Sequence, residues 1–248
     1  MIIRKSIEEI EIMREAGRIV AQTLEAIKRA VKPEISTIKL DKIAEDFITK
    51  KGAKPAFKGY RGFPAAICVS INEGVVHGIP SCRRLKEGDI ISIDIGVEYR
   101  GFHGDAAITL PVGRVSSEAS RLIEIAKKAL QMGISRCVVG NHLYDISHAI
   151  QTVAEKAGYS VVREFVGHGI GRSMHEDPQI PNYGHPGKGP RLEEGMVFAL
   201  EPMVNAGGHE VEVLPDKWGV VTRDRSLSAH FEHTVAITKV GPLVLTSL

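Results

Sequence analysis

Two segments, Leu85–Asp94 (LKEGDIISID) and Leu192–Glu201 (LEEGMVFALE), align without a gap. Leu, Glu and Gly coincide, three of the next five positions are apolar in both, and an acid closes each segment. A repeat of this kind restricts the chain to folds made of two similar units, and the order of elements around it agrees. Apolar residues recur at helical spacing from Ser6 (Ile10, Met13, Val20, Leu24, Ile27), with a capping box from Ser6 to Glu9 and a stop near Pro33. A second helix is predicted from Thr37 to Gly52. The stretch from Lys54 to Val112, rich in Gly, Pro and β-branched residues, reads as strands and hairpins. Helices return over Ser117–Arg136 and Asp145–Gly158, and strands and loops follow from Val161. The order is ααβ twice, with halves of about 1–112 and 113–248 forming one domain.

The acids closing the two segments carry the chemical signal. In DIISIDIGV the residues Ile91, Ile93 and Ile95 form one apolar face, so Asp94 shares the opposite face with Ser92 and Gly96. The chain then turns near Glu98–Gly101, and a tight hairpin centred there would set Asp105 directly opposite Asp94. Two like charges at that spacing need a shared proton or a cation. Glu201 takes the place of Asp94 in the second half, and Glu232, in HFEHTVAI, is read as the counterpart of Asp105. Taken singly, each acid is most simply a solvated strand end. Four at duplicated positions, facing one another across a pseudo-two-fold axis, outline a dinuclear metal site.

Histidines add to it. His168 lies between two glycines in FVGHGIGRSMHEDPQIPNY, where the backbone can approach a ligand closely, and His175 follows; the glycines and prolines argue against a zincin helix. His77, in INEGVVHGIP, stands in a turn. The other histidines, including His230 and His233 beside Glu232, are read as surface or structural.

Composition narrows the setting. The 248 residues carry 32 basic and 30 acidic side chains, a net charge of +2, which gives no field for nucleic acid or an anionic membrane. Three dispersed cysteines, without CxxC spacing, and a charged N-terminus without a long apolar run fit a reducing, cytoplasmic location.

The stretches FVGHGIGRSMHEDPQIPNY, DIGVEYRGFHGDAA and ALEP, with INEGVVHGIP and HFEHTVAI in order around them, resemble the type I methionine aminopeptidases of the pita-bread metallopeptidases over essentially the whole chain. The resemblance implies an α/β (α+β) pita-bread fold, two pseudo-symmetric ααβ halves with a curved, mostly antiparallel sheet covered by helices. It implies that Asp94, Asp105, His168, Glu201 and Glu232 bind two divalent metals, with Asp105 and Glu232 bridging. Oxygen-rich ligands with one imidazole suit Co, Mn, Fe or Zn without selecting among them. A hydroxide shared by such a pair would attack the first peptide carbonyl, with Glu201 taking the proton, His175 stabilising the oxyanion and His77 helping the leaving amine. By the same resemblance Tyr60, Phe63, Cys68, Met174 and Trp218 line a methionine pocket, with Phe57 where relatives differ, and Asn72 and Ser228 hold a structural monovalent cation (Na or K). The partners implied are N-termini of nascent polypeptides whose second residue is small, with a transient ribosome contact and a monomeric enzyme. Two other readings are an X-Pro aminopeptidase-like hydrolase, whose members usually add an N-terminal domain, and a non-enzymatic pita-bread binding module, in which the ligands would be lost.

Overall fold

A computed structural model describes residues 2–248; Met1 lies outside the described residues. The first stretch runs α1 (Ile7–Ala30), α2 (Thr37–Lys50), β1 (Lys54–Pro55), β2 (Cys68–Ile71), β3 (Gly74–Val76), β4 (Ile90–Tyr99) and β5 (Phe102–Pro111). The second runs α3 (Ser117–Ile134), α4 (Leu143–Lys156), β6 (Ser160–Val161), β7 (Gly167–Gly169), β8 (Glu176–Ile180), β9 (Val197–Leu200), β10 (Met203–Asn205), β11 (Val211–Val213), β12 (Val220–Thr222), β13 (Ser228–His230), β14 (His233–Thr238) and β15 (Gly241–Val244). Four helices fall where the apolar spacing predicts them. The Ser6–Glu9 capping box opens α1, with Glu9 N donating to Ser6 Oγ and Ser6 N to the Glu9 carboxylate. α4 begins two residues earlier than expected, because the Asp145 carboxylate accepts from His142 N at 2.7 Å and closes the first turn.

Every strand pairing among the described residues is antiparallel, and the pairings form four separate sheets rather than one continuous sheet. Two of them repeat one layout: β2 and β5 flank β4, and β7 and β14 flank β9. The recurrence extends to the connections. Ser36, which caps α2, bridges Arg84, and His142, which caps α4, bridges Arg191. Leu85 and Leu192, matched in the sequence, are both buried and donate to Ile35 O and Asn141 O. One apolar cluster joins α1 and α2 to the inner faces of β2, β4 and β5 around Val20, Leu24, Ile91 and Ile93, and another joins α3 and α4 to β9 and β14 around Leu122, Ile146, Phe198 and Val235.

The β4–β5 hairpin departs from the expected register. Arg100 (φ 53°) and Gly101 (φ 80°) form the tight turn between Tyr99 and Phe102, the positive-φ pair that two-residue hairpins use. Asp94 therefore pairs with Ala107, and Asp105 with Gly96. The two aspartates are diagonal neighbours on one face rather than directly opposite. Continuing the β9–β14 ladder one step beyond Leu200 and His233 brings Glu201 opposite Glu232. Glu201 is thus the counterpart of Asp94, but Glu232 is the counterpart of Ala107, and Asp105 that of His230. The expectation of four acids at duplicated positions holds for one pair only.

A backbone clasp makes this equivalence visible. Glu232 N donates to Ala107 O at 2.9 Å. On one side Thr234 Oγ1 accepts from Asp105 N at 2.9 Å and donates to Asp105 O at 2.8 Å; on the other, Thr109 Oγ1 accepts from His230 N at 2.8 Å and donates to His230 O at 2.9 Å. Each threonine hydroxyl satisfies both backbone groups of the residue it faces, and the two repeats are locked side by side. Helix α1 seats on β5 at a close approach: a Cβ on Gly104 would stand 2.8 Å from Gly17 N and 3.0 Å from its Cα, and one on Gly17 would collide with Leu245 O. Backbone on both sides cannot yield. Gly104→Val should cost about 2 kcal/mol or more and lower Tm by roughly 5 °C, read by calorimetry; an unchanged Tm would contradict this packing.

Candidate metal centre

Five acceptors converge where the two repeats meet. β4 supplies Asp94, β5 supplies Asp105, β7 supplies His168, the end of β9 supplies Glu201, and the bend between β13 and β14 supplies Glu232. Single ligand atoms of Asp105, His168 and Glu232 lie within 4.8 Å of one another, and His168 Nε2 is 3.5 Å from Glu201 Oε1 and 4.0 Å from Asp105 Oδ2. His168 Nδ1 is 2.9 Å from Gly169 O. A carbonyl only accepts, so Nδ1 carries the proton and Nε2 presents its lone pair to the carboxylates, the orientation a metal-binding imidazole needs.

The electrostatics point the same way. Burial pushes the Asp94 carboxyl up to about 7, and Asp105, Glu201 and Glu232 are raised well above the carboxylate range, first by burial and then by repulsion from their neighbours. Burial lowers His168 to about 4, so it is neutral. Asp94 Oδ1, Asp105 Oδ1 and Glu232 Oε1 are buried without a hydrogen-bond partner. Orphaned buried carboxylate oxygens are costly. A divalent cation satisfies all of them at once, and the donor set, four carboxylates and one imidazole, fits one.

These residues form one wall of a cavity of about 140 Å³ that Phe57, Tyr60, Arg61, Phe63, Cys68, His77, His175 and Trp218 complete. A void of about 150 Å³ accommodates a benzene-sized group, so the space suits one side chain. Phe63 meets Trp218 edge-on at 5.1 Å. The Cys68 thiol is pushed well up by burial and then by the surrounding acids, which keeps it a neutral wall group and not a nucleophile. Met174, expected to line the cavity, is 2% exposed and packs in one apolar cluster with the wall residues Phe57, Phe63 and Cys68. Met174 and Phe57 both close on Gly96, where a Cβ would lie 2.6 Å from Met174 Cε and 2.6 Å from Phe57 Cε1, so the missing side chain makes room for the two together.

Both remaining histidines reach the cavity. His175 Nδ1 is 2.8 Å from Tyr60 Oη, its ring stacks on that of Tyr60 at 5.3 Å, and it lies 4.2 Å from the His168 ring. Tyr60 is therefore more than a lining residue, since its hydroxyl engages one imidazole nitrogen and leaves the other for the cavity. His77 adopts φ 59°, a left-handed conformation uncommon outside glycine, and stands edge-on to Phe165 at 5.5 Å. Partial burial lowers its pKa. Sequence reasoning did not single out Arg61, which has no motif around it and lies over the Tyr60 ring at 5.4 Å. His230, expected to be surface or structural, is fully buried with Nε2 unpartnered and its pKa lowered by burial to about 3. Asn72 and Ser228 are adjacent, but Asn72 Nδ2 donates to Asp89 Oδ1, Asn72 Oδ1 accepts from Ile90 N, and Ser228 Oγ donates to Asn205 Oδ1.

The model of metallopeptidase family M24 matches residues 11–239. The chain belongs to metallopeptidase family M24. Among its relatives in family M24 are methionine aminopeptidase 1 of Bacillus subtilis, 58% identical over 246 residues and covering 99% of both chains, and the methionine aminopeptidase of Clostridium acetobutylicum, 56% identical over 247 residues, again with 99% coverage of each. The crystal structure of methionine aminopeptidase from Rickettsia prowazekii superposes with a TM-score of 0.98 at 46% identity, over 99% of this chain and all of that one. The M24 chain thus has the expected pita-bread fold. A prolidase from Pyrococcus furiosus is more distant, with a TM-score of 0.80, 25% identity, and 66% of its own length covered.

The cluster makes stability a function of both pH and metal. Without a cation, the folded chain keeps protons on carboxylates that the unfolded chain releases, so stability is present below the usual carboxylate range and is lost as pH rises toward the Asp94 value of about 7. Chelated protein should therefore melt at lower temperature at about pH 8 than at about pH 5, and the gain in Tm on adding Mn²⁺ or Co²⁺ should be larger at the higher pH. An equal gain at both, read by scanning fluorimetry, would contradict a cation seated among these acids.

Proposed function

We propose that this chain is a metallo-aminopeptidase that removes the first methionine from polypeptides whose second residue is small, and that residues 1–248 form one catalytic domain whose two halves close around the site. The observation that carries the reading is the juxtaposition of a buried carboxylate–imidazole cluster with a one-side-chain cavity walled by aromatic rings and a neutral thiol. The Bacillus subtilis and Clostridium acetobutylicum methionine aminopeptidases, each more than half identical over nearly its whole length, support it.

Asp94, Asp105, Glu201, Glu232 and His168 Nε2 would hold the divalent ions, two as the family resemblance implies, with Co, Mn, Fe and Zn all compatible. When bound, such ions make water nucleophilic at neutral pH and polarise the carbonyl. The chain's own residues do the rest. Glu201 takes the proton of the attacking water. With the Tyr60 hydroxyl donating to His175 Nδ1, the His175 proton sits on Nε2 and is offered to the carbonyl oxygen as it gains charge. His77, neutral because it is partly buried, contacts the scissile amide as a hydrogen-bonding partner, and the proton that Glu201 took from water passes to the leaving amine as the C–N bond breaks. The thioether of a methionine side chain gains from the ring edges of Phe57, Phe63 and Trp218, and a space of about 140 Å³ suits one such side chain. A monovalent cation beside Asn72 and Ser228 would serve structure only.

The partners of such an enzyme are the N-termini of nascent chains, met in the cytoplasm by a monomer in transient contact with the ribosome. Among the described residues no helix is long and apolar enough to cross a membrane. The prolidase likeness leaves X-Pro hydrolysis as the reading to be tested against.

Metal-loaded protein should release methionine from Met-Ala-Ser, but not from Met-Lys-Ser, and should leave Leu-Ala-Ser and Ala-Pro-Ser intact; chelation should abolish the activity and added Mn²⁺ or Co²⁺ restore it. Release from Ala-Pro-Ser in preference to Met-Ala-Ser, or activity that survives thorough chelation, would refute the reading. His77→Ala should lower kcat about 100-fold or more with metal content unchanged, by turnover assay and elemental analysis; loss of metal or an unchanged kcat would remove His77 from this role.

A further inference from the structure

One pair of charges is buried away from the cavity and takes no part in the chemistry above. Lys5 Nζ lies 2.6 Å from Glu176 Oε2, with the two side chains only 3% and 7% exposed. Lys5 belongs to the segment ahead of α1, whereas Glu176 opens β8 and directly follows His175.

Both ends of this contact are fastened. Lys5 N donates to Gly195 O at 2.7 Å, Arg4 Nε donates to Glu194 O at 2.7 Å, and the Lys5 ammonium donates a further bond to Ile3 O at 3.1 Å. On the other side Glu176 Oε1 accepts from Ser173 N at 3.2 Å, and Gly171 N donates to Ser173 O at 3.1 Å, so the carboxylate closes the loop that carries Met174 and His175. The loop fits tightly around the ammonium: a Cβ on Gly171 would strike Lys5 Cε and stand 2.7 Å from Glu176 Oε1. One turn into α1, Glu9 reaches Arg172 of the same loop at 3.0 Å. The N-terminal segment thus grips the loop from behind, and Tyr60 engages His175 from the cavity.

A buried ion pair is a poor source of stability, because desolvation offsets most of the attraction and apolar side chains of similar size would serve as well. Its distinguishing property is direction. Charge-assisted hydrogen bonds fix donor and acceptor in angle as well as distance, and a catalytic imidazole displaced by about 1 Å loses about 100-fold in rate. We propose that the buried Lys5–Glu176 pair is a positioning device that holds His175 at the angle it uses on the substrate carbonyl. This rests on the role given to His175 above.

A double-mutant cycle separates positioning from bulk stability. Lys5→Met, His175→Ala and the double variant are compared as metal-loaded enzymes on Met-Ala-Ser, well below the Tm of the least stable. Lys5→Met should lower kcat about 10- to 100-fold, with KM changed less than about 3-fold and metal content unchanged. In the His175→Ala background the same substitution should have no further effect. Losses that multiply, or a kcat unaltered by Lys5→Met, would overturn the proposal. His175→Ala at full activity would instead remove the role given to His175, and this inference with it. Should Lys5→Met fail to fold, Glu176→Gln keeps the acceptor for Ser173 N and removes the charge. A smaller loss that vanishes without His175 then supports the proposal, and a loss that persists overturns it.

Discussion

The structure depends on four carboxylates and an imidazole drawn together at the wall of one cavity, with little exposure to water. Burying even one unpaired carboxylate costs several kcal/mol, and Asp94, Asp105, Glu201 and Glu232 are buried together with three of their oxygens unpartnered. The nearest ring, His168, is itself held neutral by burial and offers them no positive charge, so without a cation it is retained protons that balance them. The hairpin at Arg100–Gly101, the threonine clasps at Asp105 and His230, and the apolar faces beneath β4 and β9 all hold this arrangement against its own repulsion. A cation among the oxygens turns that repulsion into attraction. The raised carboxyls and the suitability of the cluster for a cation are thus two sides of one arrangement.

Much of this was legible in the sequence, and the misses have physical causes. Helical spacing and the Ser6 capping box are local, and they located α1 to within a residue or two. The alternation of isoleucines in β4 assigned Asp94 to the face away from the core, where it lies. The relation of Asp105 to Asp94 depends on the turn type, and a shift of turn centre by one residue moves every partner by two. Arg100 at positive φ supplies that shift, and arginine carries no turn signal that glycine or asparagine would. The placing of Met174 has a similarly remote cause. The room it shares with Phe57 depends on a missing Cβ on Gly96, far off in sequence.

The contacts with the least local trace are the longest in sequence. Lys5 and Glu176 are separated by most of the chain, and neither sits in a recognisable motif pointing at the other. A lysine near an N-terminus is ordinarily a solvated charge. Only the burial of both side chains and the crowding by Gly171 distinguish this one, and those are properties of packing alone.

The broken symmetry of the two repeats follows from what the site must do. If duplication had been kept to the side chain, Ala107 would be acidic like Glu232, and His230 would be acidic like Asp105. Six carboxylates would then line the meeting point of the repeats. Such a cluster would add two more mutually repelling charges to a site whose carboxyls are already held well above their usual range. Confining the acids to two from each repeat sets them beside three imidazoles, His77, His168 and His175, that burial keeps neutral. Of these, His175 is set by Tyr60 on one side and lies beside the loop that Lys5 and Glu176 hold on the other. Asymmetry between the halves thus lets one cavity combine four carboxylates and the His168 Nε2 lone pair with the imidazoles of His77 and His175.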